Sequence, residues 1–125
     1  MIYGVGTDIV KISRMAGFYQ RHGERALEKV LAPAERQACR ESVQPERFLA
    51  KRFAAKEALG KALGSGVRAP VLLPAIAVSH SVDGQPVFEF AAELAAHMAK
   101  LGLRAHLSIS DENDTALAFV VLEEL

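Results

Sequence analysis

From Met1 to Val10 the strand formers Ile2, Tyr3, Val5, Ile9 and Val10 predominate, so this stretch reads as a β-strand. Gly4 and Gly6 interrupt it, as glycines do where a strand bulges or another backbone comes close. From Ile12 to His22 the spacing becomes helical, with Met15, Phe18 and Tyr19 apolar and Arg14 and Arg21 exposed. Gly23 ends that helix. Glu24 to Leu31 predicts a second short helix. Pro33 opens a third, reaching Glu41, because proline suits the first helical turn. The longest helical pattern runs from Pro45 to Leu63, with an apolar face of Phe48, Leu49, Phe53, Ala54 and Leu59, and Gly64 as its stop. Residues 67 to 74, with Pro70 and Pro74, read as a loop. Ile76 to Val82 alternates as a strand, Asp83-Gly84 signals a hairpin turn, and Pro86 to Phe90 returns. Glu93 to Leu101 is helical and stops at Gly102. His106 to Ser110 and Thr115 to Leu122 are two more strands, joined by the polar turn Asp111-Glu112-Asn113-Asp114.

Strand, helices, hairpin, helix and hairpin in this order define an α+β class rather than repeated βαβ units. The 125 residues suit a single domain over 1–125, with no repeat or linker. Fifteen basic and fifteen acidic side chains give a formal net charge of +0, which argues against a nucleic-acid module. The lone Cys39 excludes an intrachain disulfide and reads as a structural or surface thiol. The first residues lack a basic segment followed by an apolar one, and no apolar run is long enough to span a membrane. A cytoplasmic setting is the expectation.

Three side chains stand out chemically. Asp8 lies in an otherwise apolar strand, where aspartate is disfavoured and a buried carboxylate needs a partner or a metal. Its bland reading is a strand-end turn residue. Glu57 and Lys61 are four apart and share a helix face, which alone describes an ordinary surface ion pair. Lys51, Arg52 and Lys56 read as the solvated face of the same helix. Magnesium commonly takes one or two carboxylates and fills its shell with water and phosphate oxygens, so two acids from distant segments suit it. Gly64-Ser65-Gly66 is a cap and turn in which small residues let backbone amides come close to a phosphate. It is not a P-loop, since it follows its helix. The four histidines have no metal-ligand spacing, and the alternating serines 79, 81, 108 and 110 read as strand faces.

Gly6-Thr7-Asp8-Ile9-Val10 resembles the first motif of the holo-acyl-carrier-protein synthases. The segment from Arg47 to Ala58, with Arg52-Phe53-Ala54-Ala55-Lys56-Glu57-Ala58 at its centre, resembles their second, and Lys61 to Arg68 continues it. The likeness covers nearly the whole chain. It implies a 4′-phosphopantetheinyl transferase fold, an antiparallel sheet with helices packed on it. It implies transfer of phosphopantetheine from coenzyme A to a serine of apo acyl carrier protein, releasing 3′,5′-ADP, in fatty acid biosynthesis. By resemblance, Asp8 and Glu57 hold Mg2+, and Lys61 sits by the pyrophosphate. Arg52 and Gly64, Ser65 and Gly66 hold the nucleotide phosphates. The first helix, with Arg14, Met15, Phe18 and Arg21, meets the acidic carrier protein, and Arg25 adds positive charge. The resemblance also implies a homotrimer with active sites between subunits. Glu57 and Lys61 are the catalytic candidates, and either Glu57 or metal-activated water takes the serine proton. Some relatives carry a histidine where this chain has Asp111, which reads as a turn residue. A non-catalytic binder that kept the fold is the alternative.

Overall fold

The computed structural model describes residues 1–125. Strand β1 (Ile2–Lys11) leads into helices α1 (Ile12–His22), α2 (Glu24–Val30), α3 (Pro33–Glu41) and the long α4 (Pro45–Leu63). A one-turn 3-10 helix (Leu73–Ala75) precedes the hairpin β2 (Ile76–His80) and β3 (Pro86–Phe90). Helix α5 (Ala92–Leu101) and the hairpin β4 (Leu103–Glu112) and β5 (Thr115–Glu124) complete the chain. β1, β5 and β4 form an antiparallel sheet in that order, and β2 and β3 pair separately. The α+β class expected from the pattern is what forms. No helix is long and apolar enough to cross a membrane.

Helix α4 packs on β1 and β5, and small side chains set how closely. Ala54, Ala55, Ala58 and Ala62 of α4 are buried, as are Ala116 and Ala118 on the inward row of β5. The glycines of β1 take this furthest. A Cβ at Gly4 would overlap the Ala62 carbonyl oxygen, and one at Gly6 would overlap the Ala58 carbonyl oxygen and the Ala62 nitrogen. The strand therefore lies directly on the helix backbone, the close approach that glycine in a strand signals. Gly6→Ala should cost about 1–3 kcal/mol of stability through overpacking. Its urea midpoint would show this, and an unchanged midpoint would refute the packing argument.

The closing hairpin is longer than its sequence pattern indicates. Asp111 and Glu112 continue β4, pairing with Ala116 and Thr115, so the turn is only Asn113-Asp114. Asn113 carries the positive φ of 51° that asparagine tolerates. At the other end β4 begins at Leu103, straight after the left-handed Gly102. The expected loop contains the 3-10 turn, and β2 stops at His80, leaving Val82 exposed. Asp114 holds the hairpin tip against α1: its carboxylate accepts from Ser13 N–H at 2.8 Å and Ser13 Oγ–H at 2.6 Å. Those two bonds keep its carboxyl below the usual range and satisfy a free donor at the start of α1.

Candidate active site

The inward row of β1 contains Gly4, Gly6 and Asp8, so the glycine contact with α4 also carries Asp8 to that helix. Asp8 keeps 16% of its side chain exposed. Lys61 Nζ crosses from α4 to sit 3.1 Å from Asp8 Oδ1, and donates to the Thr7 carbonyl at 2.9 Å. The surface pair between Glu57 and Lys61 does not form; the lysine's ionic partner is on the strand. Glu57 is half-buried. Burial raises its carboxyl pKa, the charge of Asp8 raises it further, and Lys61 and Arg14 pull it back. Two carboxylates on separate elements thus repel each other beside one lysine. No cluster of three or more His, Cys, Asp or Glu side chains surrounds them. A hard divalent cation fits this donor set: two acids supply anionic oxygens and leave the remaining positions for water or phosphate.

Gly64 caps α4 with φ 81°, and Gly66 turns back with φ 70°. The Gly64 N–H donates to Lys61 O and the Gly66 N–H to Gly60 O, each at 3.0 Å. Of the three amides in this turn, Ser65 N–H is the one left without a backbone acceptor. The turn folds onto Gly60, where a Cβ would press on Gly66.

Arg14, Met15, Phe18 and Arg21, the residues expected to dock a carrier, line one cavity of ≈ 340 Å³ with Phe53 and Leu73. Met15 is only 3% exposed and belongs to the core, so it forms the floor and the partly buried Phe18 a wall. Arg25 lines the next depression with His22 and Lys29. Arg14 also lies over the Phe53 ring, 5.8 Å from its centroid.

Lys56 corrects the expectation of a solvated face. It is 0% exposed, and its Nζ donates to Glu35 Oε1 at 2.6 Å, Val30 O at 2.7 Å and Leu73 O at 3.1 Å. α4 is enclosed by sheet and helices on most sides, so its polar residues were sorted by packing rather than by helical period. Glu35, which the helical pattern does not single out, is 3% exposed and accepts also from Ala32 N–H, Val78 N–H and Arg52 Nη1–H. A glutamate three residues beyond a helix start was its one sequence signal. Burial works against its charge, but Lys56, the Val78 N–H and Arg52 outweigh it and hold the carboxyl below the ordinary range. A carboxyl depressed by folding contributes stability above its unfolded pKa of about 4.3 and loses it as pH falls through the folded value. The stability difference between wild type and Glu35→Gln should therefore shrink in acid below about pH 4.3, as urea titrations at several pH values would show.

Asp111 is also more than a turn residue. Its Oδ2 accepts from Arg47 Nη1 at 2.7 Å, and Lys51 Nζ lies 3.9 Å from Oδ1. Cys39 is buried, and burial pushes its thiol up to about 11, consistent with the structural reading. Ser108 and Ser110 stand exposed on the outer face of β4, as their alternation indicates.

An α+β chain with two carboxylates and a lysine where the first strand crosses its longest helix defines a class. Residues 4–120 match the family model of the 4′-phosphopantetheinyl transferase superfamily. The holo-[acyl-carrier-protein] synthase of Dechloromonas aromatica is 54% identical over 123 residues, covering 98% of each chain. The crystal structure of the Neisseria meningitidis holo-[acyl-carrier-protein] synthase superposes with a TM-score of 0.96 at 42% identity, over 99% of this chain and 100% of that one. The Bacillus anthracis enzyme, solved in complex with CoA (3′,5′-ADP), gives 0.83 at 31% identity, over 100% and 99%. The chain belongs to the 4′-phosphopantetheinyl transferase superfamily, as an enzyme of the holo-[acyl-carrier-protein] synthase type.

Proposed function

We propose that this enzyme transfers 4′-phosphopantetheine from coenzyme A to a serine of an apo acyl carrier protein, in the cytoplasm, readying carriers for fatty acid biosynthesis. The observation that carries the reading is the meeting of Asp8, Glu57 and Lys61 at the β1–α4 contact. The serine Oγ forms a bond to the phosphorus that bears the pantetheine. The bridging P–O bond of the pyrophosphate breaks, 3′,5′-ADP leaves, and the serine proton goes to a base. Asp8 and Glu57 would hold Mg2+, which when bound supplies positive charge to the pyrophosphate oxygens. Lys61 adds a second cation where negative charge grows on the leaving phosphate. Glu57, or water activated on the metal, would take the serine proton. The Gly64-Ser65-Gly66 turn offers its Ser65 amide to a phosphate. A binder that merely kept the fold has no use for two repelling carboxylates beside a lysine.

The active site is completed by assembly into a homotrimer in this reading. Val5, Ile9, Leu117 and Phe119 form an exposed apolar row on the sheet face turned away from α4. A contiguous apolar face of this kind is suited to burial against another subunit. Arg52 and Glu57 lie five residues apart, about 140° around α4, so Arg52 serves a nucleotide bound at a different face from its own Glu57. A site shared between adjacent subunits reconciles the two. Light scattering should give the mass of three chains.

The decisive experiment is intact-mass spectrometry of an apo carrier incubated with the protein, coenzyme A and magnesium, with and without chelator. A gain of one phosphopantetheine, lost on chelation, is the expected result; no gain with several apo carriers would favour the binder. For docking, Arg14→Glu with Arg21→Glu should weaken the acidic carrier more than coenzyme A, by about ten-fold or more for two reversed charges. An unchanged carrier affinity in titration would remove the α1 surface from the docking site.

A further inference from the structure

The buried carboxylate of Glu35 has no part in the transfer chemistry, yet it touches both walls of a second cavity. That cavity, ≈ 360 Å³, is lined by Lys51, Arg52, His80, Gly84, Pro86 and Asp111 among others. One wall is the guanidinium of Arg52. Its Nη1 donates to Glu35 Oε2 at 2.8 Å and to the Val78 carbonyl, while Phe48 supports it with a ring centroid 4.3 Å away. One corner and one face of the guanidinium are thereby fixed, and Nε and Nη2 have no acceptor in the protein. The other wall is the β2–β3 hairpin, and the same Glu35 Oε2 accepts from Val78 N–H of β2 at 2.9 Å.

The charges point to the occupant. One buried carboxylate faces two cations, Lys56 and Arg52, so the cluster carries a surplus positive charge. A half-buried surplus cation is costly unless an anion answers it. The acid at the cavity, Asp111, is engaged by Arg47 at 2.7 Å. An arginine held in plane with Nε–H and Nη2–H free along one edge is the geometry that recognises phosphate.

We propose that Glu35 is a positioning residue for coenzyme A: it fixes the Arg52 guanidinium and the β2–β3 hairpin so that the free edge of Arg52 meets a phosphate of the nucleotide. The inference rests on the transferase reading above. It separates Glu35 from a purely structural role, because its loss then acts through Arg52 and on nucleotide affinity.

The test is calorimetric titration of 3′,5′-ADP into wild type, Glu35→Gln, Arg52→Ala and the double variant, with steady-state kinetics in parallel. Each single variant should weaken 3′,5′-ADP by about ten-fold, the loss of one charge-assisted hydrogen bond. The double variant should lose no more than Arg52→Ala, because the two residues act as a unit. For Glu35→Gln, KM for coenzyme A should rise while kcat at saturation holds. Losses that multiply in the double variant, wild-type affinity in Glu35→Gln, or a fall in kcat at constant KM would each overturn the proposal. Should Glu35→Gln not fold, nitrogen-15 arginine side-chain spectra of the wild-type protein decide. A pinned Arg52 gives separate Nη signals that shift with 3′,5′-ADP; averaged or unmoved signals overturn it. A wild-type protein that takes up neither 3′,5′-ADP nor coenzyme A would bring down the transferase reading and this inference together.

Discussion

Asp8→Ala and Glu57→Gln should each abolish magnesium-dependent transfer, by about 10² to 10³-fold or more, while leaving the protein folded. The reason is electrostatic. The reaction gathers negative charge at a pyrophosphate, and the protein's own contribution here is two acids with Lys61 beside Asp8 and Arg14 acting on Glu57. Without a metal, those acids would repel the substrate. Their presence is productive when they carry a dication that cancels them and leaves Lys61 as net positive charge. Neither side chain is needed for the core. Asp8 is partly exposed, and burial and the charge of Asp8 already raise the Glu57 carboxyl, so its ionised form is not stabilised by its surroundings. The variants should unfold at urea midpoints near wild type. Near-normal turnover in both would remove the metal assignment; loss of activity with loss of folded signal would assign the residues to structure instead.

Lys56→Met should be the most destabilising conservative change on α4, by about 3–5 kcal/mol, the range for breaking a buried ion pair by removing one partner. The methionine fits the lysine's volume but leaves the carbonyls of Val30 and Leu73 without their donor, and deprives Glu35 of the closer of its two cations. Adding Glu35→Gln to Lys56→Met should cost less than the sum of the single changes, because the second removes a charge that the first left unpaired. Urea denaturation of the four proteins measures this. A Lys56→Met variant within about 1 kcal/mol of wild type would show that the network adds little to stability.

Local rules were reliable where one residue controls its own backbone. Gly64 and Gly102 stop their helices in the left-handed region, Gly84 turns the hairpin at φ 85°, and Pro33 starts α3. The rules failed where the environment was decided from afar. Lys56 follows the helical rhythm of a solvated residue, but its partner Glu35 lies on another helix. Asp111 has the composition of a turn, but it pairs with Ala116 in the β4–β5 ladder and its carboxylate meets Arg47 of α4.

The amino-acid sequence by itself determined the α+β order, the helix stops, the glycine pair in the first strand and, through its two motifs, the acids and lysine of the candidate site. Periodicity and backbone sterics are local, and they are legible at short range. Tertiary structure alone decided that Lys61 reaches Asp8 rather than Glu57, that Arg14, Met15, Phe18 and Arg21 share one cavity, and that Glu35 joins Lys56, Arg52 and β2. Those pairings join residues far apart in the chain. They follow from how closely glycine and alanine let β1 settle on α4, and from the need of each buried charge for a partner.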